Sequence, residues 1–442
     1  MEASQLNWLS ACDAARAIRD GAISSEQLVE ACLARIRETE PQVEAWQFLD
    51  PEHALAQARA LDERHRAGGP AGALHGVPVG VKDIIDTTDM PTEDGTVLHA
   101  GRTPDRDATV VAMLRAAGAV ILGKTVTTEC AYFSPGKTRN PHNPEHTPGG
   151  SSSGSAAAVA AGMVPLALGS QTNGSTIRPA SFCGVYGFKP THGLIPRHGM
   201  MRLSRTLDHV GLFARSLEDI ALLAEQLAGY DERDPDTRPH ARIPFAASAA
   251  QEPPLPPVLA FVKGPVWDRA AEDMRQAFAE LVAELGGGVV EVELPEAARS
   301  ALDWHRTIMD AEMAANLDLE WERGKDRLSE QLRSLLARGR EVRALDYQQA
   351  LARISLLNEG FAEIFERFDA ILTPAAPGTA PKGLGATGDP AFCTLWTLLG
   401  TPALSLPLMQ GANGLPLGVQ LVGPRHGDAR LLRTARWLVQ EV

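Results

Sequence analysis

Residues 149–155 (GGSSSGS) and 174–180 (GSTIRPA) are the most informative part of this 442-residue chain. A serine hydroxyl is a weak nucleophile that needs a base, and glycines let backbone N–H groups approach a reacting atom closely. The first stretch runs into residues 155–161, predicted to be a helix of small residues, and residues 163–168 are predicted to be a strand leading to the second. A flexible Gly/Ser linker would not be expected to continue directly into a helix and a strand, so these stretches are interpreted as ordered. The pattern therefore predicts a site built around a nucleophilic serine.

The base predicted for this serine is a lysine. His142 and His146 stand four residues apart, but the prolines around them rule out a helix that could pair them for catalysis or for zinc binding. Lys82 ends the apolar run 77–81 (VPVGV), which predicts a buried strand delivering an amine to the core. Burial disfavours the charged form of lysine and lowers its pKa, and a neutral amine is a competent base.

Several further motifs share one order along the chain. They are residues 76–83 (GVPVGVKD), 148–160 (PGGSSSGSAAAVA), 169–180 (GSQTNGSTIRPA), 183–185 (CGV), 187–191 (GFKPT), 204–208 (SRTLD), 400–407 (GTPALSLP) and 414–421 (GLPLGVQL). With these motifs the chain resembles the amidase signature family, densely over about residues 60–230 and sparsely towards both ends.

The resemblance implies a catalytic trio of Lys82, Ser151 in a cis peptide, and Ser175 as the nucleophile. It further implies that a carboxamide is hydrolysed to carboxylate and ammonia through an acyl-enzyme, with a proton relayed between the serines and the lysine. The backbone N–H groups of Thr172, Asn173, Gly174 and Ser175 would form the oxyanion hole. No metal and no organic cofactor are implied.

Two positions depart from the common pattern of the family. Asn173 stands where many relatives have a second glycine, and Arg178 follows the nucleophile by three residues instead of two. Relatives with the latter spacing include malonamidase-like enzymes, in which the arginine is thought to bind a substrate carboxylate. We assign Arg178 and Ser152 to substrate binding, which favours a small amide carrying a carboxylate. A purely structural role for Arg178, tying down loop carbonyls, stays open.

The predicted fold is α/β: a single α/β/α amidase-signature fold with a large mixed β-sheet covered by helices. We predict one domain over residues 1–442, with a helical N-terminal region (1–70), a signature core (71–230) and a variable region (231–330). A capping signal at 24–27 (SSEQ) predicts a helix start. Strand, helix and strand signals over residues 258–292, with three glycines after the helix, predict a βαβ-like unit.

Composition and charge restrict the partners. The formal net charge is −13, from 42 basic and 55 acidic residues, which gives no electrostatic reason to bind nucleic acid. The start of the chain lacks a secretory signal, and the longest weakly polar run is too short to span a bilayer. Five cysteines without CxxC spacing favour reduced thiols and a cytoplasmic location. The expected partner is a small-molecule amide, with no nucleic acid and no membrane; a homodimer stays open.

Two other functions compete with a free-standing amidase. An amidotransferase A-type subunit would release ammonia from glutamine within a complex, and its isolated chain would hydrolyse amides poorly. A catalytically inactive binding or scaffold protein is disfavoured, because the three residues of the implied catalytic trio, Lys82, Ser151 and Ser175, are all present.

Overall fold

The computed structural model describes residues 3–442 and contains eleven strands and fifteen α-helices in that range. The strands are β1 (Trp46–Leu49), β2 (Pro78–Lys82), β3 (Val120–Thr125), β4 (Leu166–Gln171), β5 (Tyr186–Lys189), β6 (His209–Ala214), β7 (Leu259–Phe261), β8 (Val289–Glu291), β9 (Ala370–Pro374), β10 (Ala403–Gln410) and β11 (Pro416–Val422). The helices are α1 (Ala11–Arg19), α2 (Ser25–Val43), α3 (Pro51–Arg66), α4 (Thr109–Ala116), α5 (Ser153–Ala160), α6 (Ile177–Cys183), α7 (Leu217–Leu227), α8 (Phe245–Ala249), α9 (Glu272–Leu285), α10 (Ala301–Asn316), α11 (Asp318–Gly324), α12 (Glu330–Glu341), α13 (Ala344–Arg367), α14 (Ala391–Leu398) and α15 (Asp428–Glu441).

All eleven strands belong to one mixed sheet, in the order β1-β3-β2-β4-β6-β5-β10-β11-β9-β7-β8. Strand β2 runs parallel to β3 and β4, and β7 runs parallel to β8 and β9, whereas the other neighbours are antiparallel. Every residue of β2, β3, β4, β6, β7 and β9 is buried, as expected for strands covered on both faces. The predicted α/β fold with a large mixed sheet is confirmed.

The pairing of β2 with β4 fixes the place of the candidate site. Val81 pairs with Leu168 in this parallel ladder, so both strands end at the same edge of the sheet. Lys82 is the last residue of β2, and the last two residues of β4 are Ser170 and Gln171. The chain then forms the loop 172–176 and enters α6, which carries the second serine-containing stretch to that edge.

Helix α5 packs tightly beside this edge because its residues are small. Its residues from Ser153 to Val159 are all buried, and the Oγ of Ser155 donates a hydrogen bond of 2.8 Å to the carbonyl of Leu168 in β4. A Cβ on Gly154 would lie 2.3 Å from both the carbonyl oxygen of Ala45 and the backbone nitrogen of Val126. No side chain fits there, so the glycine lets α5 approach the neighbouring backbone.

Several sequence predictions can be compared with these elements. Ser24 caps α2 in a capping box with Gln27, as the signal at 24–27 predicted. The βαβ-like unit is confirmed as β7, α9 and β8, with the two strands parallel. Strands β1, β5, β6 and β11 were missed, so the region predicted as helical at 1–70 also contains β1, an edge strand.

The division into one domain with three regions stays a prediction. No helix within residues 3–442 has the length and apolar character needed to cross a membrane.

Candidate active site

Lys82 is a fully buried lysine at the centre of the candidate site. Its Nζ lies 2.6 Å from the Oγ of Ser151 and 2.8 Å from the Oγ of Ser170, and its exposed fraction is 0 %. Burial lowers the pKa of Lys82 well below its ordinary value, and the negative charge of Asp208 opposes this shift only in part. The amine that the sequence predicted as a base therefore lies in an environment that favours its neutral form.

Ser151 belongs to a loop that packs against the start of α6. The Gly150–Ser151 peptide bond is cis, as the resemblance implied. Gly149 has a φ of 84°, and a Cβ there would lie 2.8 Å from the Cα of Pro179, so the approach of the loop requires a glycine. This contact brings the first serine-containing stretch next to the second.

Ser175 lies on the loop between β4 and α6 and is 9 % exposed. Its hydroxyl forms no hydrogen bond with any group in residues 3–442, so the structure joins Lys82 to Ser151 directly but does not join Ser151 to Ser175 by a hydrogen bond. Catalytic hydrogen bonds are often long in unliganded sites. Ser175 lines a narrow cavity together with Ala131, Tyr132, Phe133, Thr172, Asn173, Gly174, Arg178, Leu203, Met309 and Met313.

The backbone of the loop 172–175 has free donors and occupied acceptors. Among residues 3–442, no acceptor pairs with the N–H groups of Thr172, Asn173, Gly174 and Ser175. The carbonyl of Thr172 accepts from the Nε2 of His305 at 2.9 Å, that of Asn173 from the Oγ1 of Thr397 at 2.5 Å, and that of Gly174 from the Arg178 N–H at 3.0 Å.

A second set of contacts holds the ends of this loop. The Oε1 of Gln171 accepts from the N–H groups of Thr176 and Ile177, at 2.8 and 3.0 Å. Burial lowers the pKa of His305 to about 4, so its imidazole is neutral at pH 7 and donates from Nε2. The loop thus has held carbonyls and N–H groups that are unpaired among the described residues, and its role as an oxyanion hole stays a prediction.

Asp208 connects this loop with the electrostatics of Lys82. Its Oδ1 accepts a hydrogen bond of 2.7 Å from the Oγ1 of Thr172, and its Oδ2 accepts from the N–H groups of Leu203 and Ser204, each at 2.9 Å. Burial raises the pKa of Asp208 to about 6, while these donors act against the shift. The carboxylate therefore carries a charge at neutral pH beside the predicted base.

Arg178 combines a structural contact with unused donors. One of its terminal nitrogens, Nη2, donates to the carbonyl of Gly150 at 2.7 Å and to the Oγ1 of Thr387 at 3.1 Å. Its Nε and Nη1 are buried without a hydrogen-bond partner in the described part of the chain, and the side chain is 1 % exposed. Burial lowers the pKa of Arg178 to about 10, so the group stays charged at neutral pH.

Ser152 occupies a different place from the other predicted residues. Its hydroxyl donates to the carbonyl of Ser170 at 3.2 Å and accepts from the Ser170 N–H at 3.1 Å, and it is fully buried. It is absent from the residues that line the cavity at Ser175. This geometry favours a structural role, fixing α5 to β4. The assignment of Ser152 to substrate binding stays a prediction.

Three residues at the site were missed by the sequence analysis: Ser170, Asp208 and His305. Asp208 lies inside the quoted motif 204–208, but the motif alone does not indicate which residues it contacts. Ser170 follows the predicted end of its strand by two residues. His305 lies 133 residues from Thr172, and no local signal relates the two.

Comparison with known proteins decides the family. A family model described as Amidase matches residues 27–432. The chain belongs to the amidase signature family. A curated relative, the A subunit of the glutamyl-tRNA(Gln) amidotransferase of Chloroflexus aggregans, is 35 % identical over 97 % of this chain and 96 % of its own length.

Solved structures of amidases share the fold over nearly the whole chain. The peptide amidase of Stenotrophomonas maltophilia has a TM-score of 0.85 at 29 % identity and covers 98 % of this chain and 96 % of its own. A structure described as a vestigial protein complex that reveals the origins of an s-triazine catabolic enzyme has a TM-score of 0.91 at 28 % identity, with 98 % of each chain covered. The protein is an amidohydrolase that acts on amides.

Proposed function

We propose that this amidase hydrolyses the carboxamide of a small amide carrying a carboxylate, through Lys82, Ser151 and Ser175. One observation carries the proposal: the buried Nζ of Lys82, with its pKa lowered by burial, lies 2.6 Å from the Oγ of Ser151. A hydroxyl can donate and accept at once, so Ser151 can pass a proton from Ser175 to this amine.

The reaction proceeds in two balanced halves. Ser175 Oγ attacks the amide carbon while its proton moves to Ser151 and the proton of Ser151 moves to Lys82. The protonated Lys82 then gives this proton, through Ser151, to the nitrogen of the tetrahedral intermediate. The carbon–nitrogen bond breaks, ammonia leaves, and an ester on Ser175 remains. Water attacks that ester by the same relay and releases the carboxylic acid, which restores the Ser175 hydroxyl.

The unpaired N–H groups of residues 172–175 support stabilisation of the intermediate. Donors that are already oriented towards a developing oxyanion need no rearrangement during the reaction, and the loss of one such donor typically costs about 3–4 kcal/mol. Asp208, His305 and Thr397 hold the loop from three sides, so they act as positioning residues for this hole.

Arg178 supports the choice of an acidic substrate. A buried charge without a countercharge is costly, and a substrate carboxylate would supply both the charge and acceptors for Nε and Nη1. The cavity between Tyr132, Phe133, Met309 and Met313 is narrow, which supports a small acyl group. The hydrogen bond from Nη2 of Arg178 to the carbonyl of Gly150 is compatible with this role, because it uses a different nitrogen.

The substrate class is tested without mutation by a matched pair of amides. The purified chain is given the monoamide of a short dicarboxylic acid and the methyl ester of the same monoamide, and ammonia release is measured. We expect kcat/KM to be about 30–150-fold higher for the acid, the ratio that a buried charge pair of about 2–3 kcal/mol gives. Equal values would contradict recognition of a carboxylate.

The comparison with the A subunits of amidotransferases supports a second candidate, release of ammonia from glutamine within a complex. The same assay separates the two functions. Turnover of small amides by the purified chain alone supports the hydrolase. Negligible release from every amide, with release from glutamine only once the other proteins of such a complex are added, would support the amidotransferase.

A further inference from the structure

A second cavity, of about 680 Å³, lies beside the candidate active site. It shares Asp208 with the site, because this residue lines the cavity and also accepts the hydrogen bond from Thr172. Ser175 and Arg178 do not line it. The volume falls in the range of small-molecule sites in proteins, about 300–1,000 Å³.

Arginines form ion pairs with several of the acidic side chains of the cavity wall. Arg102 forms a bidentate pair with Asp86, at 2.8 and 2.9 Å. Arg197, which is 9 % exposed in its side chain, pairs with Asp234 at 3.0 Å and with Asp236 at 2.5 Å. These ion pairs hold the five side chains in place, whereas Asp208 has no ion-pair partner among the described residues.

Two further arginines of the wall have no protein partner. The side chains of Arg202 and Arg323 form no hydrogen bond and no ion pair with any residue between 3 and 442, although both line the cavity. A third, Arg327, donates only to the backbone carbonyl of Val97. The cavity therefore carries unpaired positive charge in a chain whose net charge is −13.

Apolar side chains cover another part of the wall. Met200, Met201, Leu317 and Leu319 line the same cavity, and Leu319 is 59 % exposed. Most of the wall is polar or charged, and this apolar part lies beside the arginines. Cationic groups next to an apolar stretch match a ligand with an anionic head and a short apolar body.

We propose that this cavity binds a small organic anion, a carboxylate or a phosphate monoester with a short apolar chain, separately from the substrate at Ser175. Arg202 and Arg323 bind the anionic head, and the methionine and leucine side chains contact the apolar chain. Guanidinium groups suit either head because both offer two acceptor oxygens.

The test measures binding, which does not depend on turnover. Hexanoate, hexyl phosphate and uncharged hexan-1-ol are titrated into the full-length protein by calorimetry at constant ionic strength. We expect at least one of the anions to bind and hexan-1-ol not to bind, and the anion that binds more tightly identifies the head group.

Two variants assign that binding to the cavity. The double variant R202Q/R323Q should weaken the binding of the anion by tenfold or more, because it removes both charged donors. R306Q is the matched control, since Arg306 is an exposed arginine of α10 paired with Asp303, outside the cavity, and it should bind like the unmodified protein. Neither substitution in the double variant removes a side-chain hydrogen bond or an ion pair between described residues, and both arginines are exposed, so the fold should be retained.

Three results would overturn the proposal: no binding of either anion, equal binding of hexan-1-ol, or unchanged binding by the double variant. The last result would place any anion at Arg178 or elsewhere. Anion binding that depends on Arg202 and Arg323 in a protein without amidase activity would leave this proposal standing while removing the proposed function.

Discussion

At the scale of single residues, the surroundings of Lys82 favour the loss of its proton. Lys82 has two serine hydroxyls within 2.8 Å and no carboxylate in direct contact among the described residues. The charge of Asp208 is the one influence that raises the pKa of Lys82 against the effect of burial. The two groups therefore set together the pH at which the base becomes available.

Asp208→Asn should move the acidic limb of the pH profile of kcat/KM to lower pH. The substitution removes a negative charge that raises the pKa of Lys82, so the amine should lose its proton at lower pH, while an Asn oxygen can still accept from Thr172. The profile is measured by ammonia release, with the exposed Asp303→Asn as the control. An acidic limb that stays in place or moves to higher pH would contradict the coupling.

Lys82→Met should abolish turnover and yet increase the free energy of unfolding. Because the pKa of Lys82 is lower in the folded state than its ordinary value of about 10.4, the unfolded chain binds more protons between these two pKa values. The lysine therefore destabilises the fold most at pH values below its folded pKa, and this effect fades as the pH rises towards about 10.4. The gain on substitution should be larger at pH 7 than at pH 9.5.

Urea denaturation at both pH values measures this difference, and activity is recorded in parallel. Lys137→Met is the control, because it makes the same substitution at an exposed lysine. A Lys82→Met variant that is less stable than the unmodified protein at pH 7, or a gain that grows with pH, would contradict a neutral buried amine.

At the scale of elements, the loop 172–175 is fitted closely against α14. A Cβ on Gly174 would lie 2.9 Å from the Cβ of Pro390 and 3.2 Å from that of Cys393, inside the usual carbon–carbon contact of about 3.5–4.0 Å. The loop can accept a side chain only by moving. Its N–H groups would then leave the positions in which they are held.

Gly174→Ala should lower kcat/KM, and it should reduce stability by about 1–3 kcal/mol, the usual cost of overpacking. Gly287→Ala is the matched control, since a Cβ at Gly287 meets nothing within 4 Å. Ammonia release and thermal melts measure the two effects. Normal activity in Gly174→Ala would show that the position of this loop does not matter for the reaction.

The sequence predicted the elements with strong local signals and missed those that depend on distant partners. Residues 76–81 form an almost continuous apolar run, and the structure has β2 at Pro78–Lys82. Strand β5 has four residues including a glycine, and β11 begins with a proline and contains a glycine, so neither shows a clear apolar alternation. Their strand conformation comes from pairing with β6, β9 and β10.

The residues of the candidate site divide in the same way, into those with a local sequence signal and those that depend on distant partners. Lys82 was predicted as a base from the apolar run that it ends, and the resemblance to the amidase signature family assigned the roles of Ser151 and Ser175 within the two serine-containing stretches. Ser170 reaches Lys82 only through the parallel pairing of β2 with β4, and the predicted strand ended before it. Local composition carries no information about such contacts, since they depend on sheet register and helix packing.

At the scale of the whole molecule, two distant parts of the chain build the substrate cavity. The signature core contributes Ser175, Arg178 and the loop 172–175, all at the edge where β2 and β4 end. Helix α10, which begins in the region predicted to be variable, contributes Met309 and Met313 to the opposite wall and His305 to the loop. The proposed catalytic groups thus come from the signature core, while side chains of both parts narrow the cavity beside Ser175.

The most direct test of the central claim is to locate the acyl group. The protein is mixed with an amide that it turns over, quenched in acid within milliseconds, digested, and examined by mass spectrometry. The account predicts the added acyl mass on the peptide carrying Ser175, no adduct in Ser175→Ala, and an adduct that forms far more slowly in Lys82→Met. An adduct on Ser151 or Ser170, or turnover by Ser175→Ala, would contradict it.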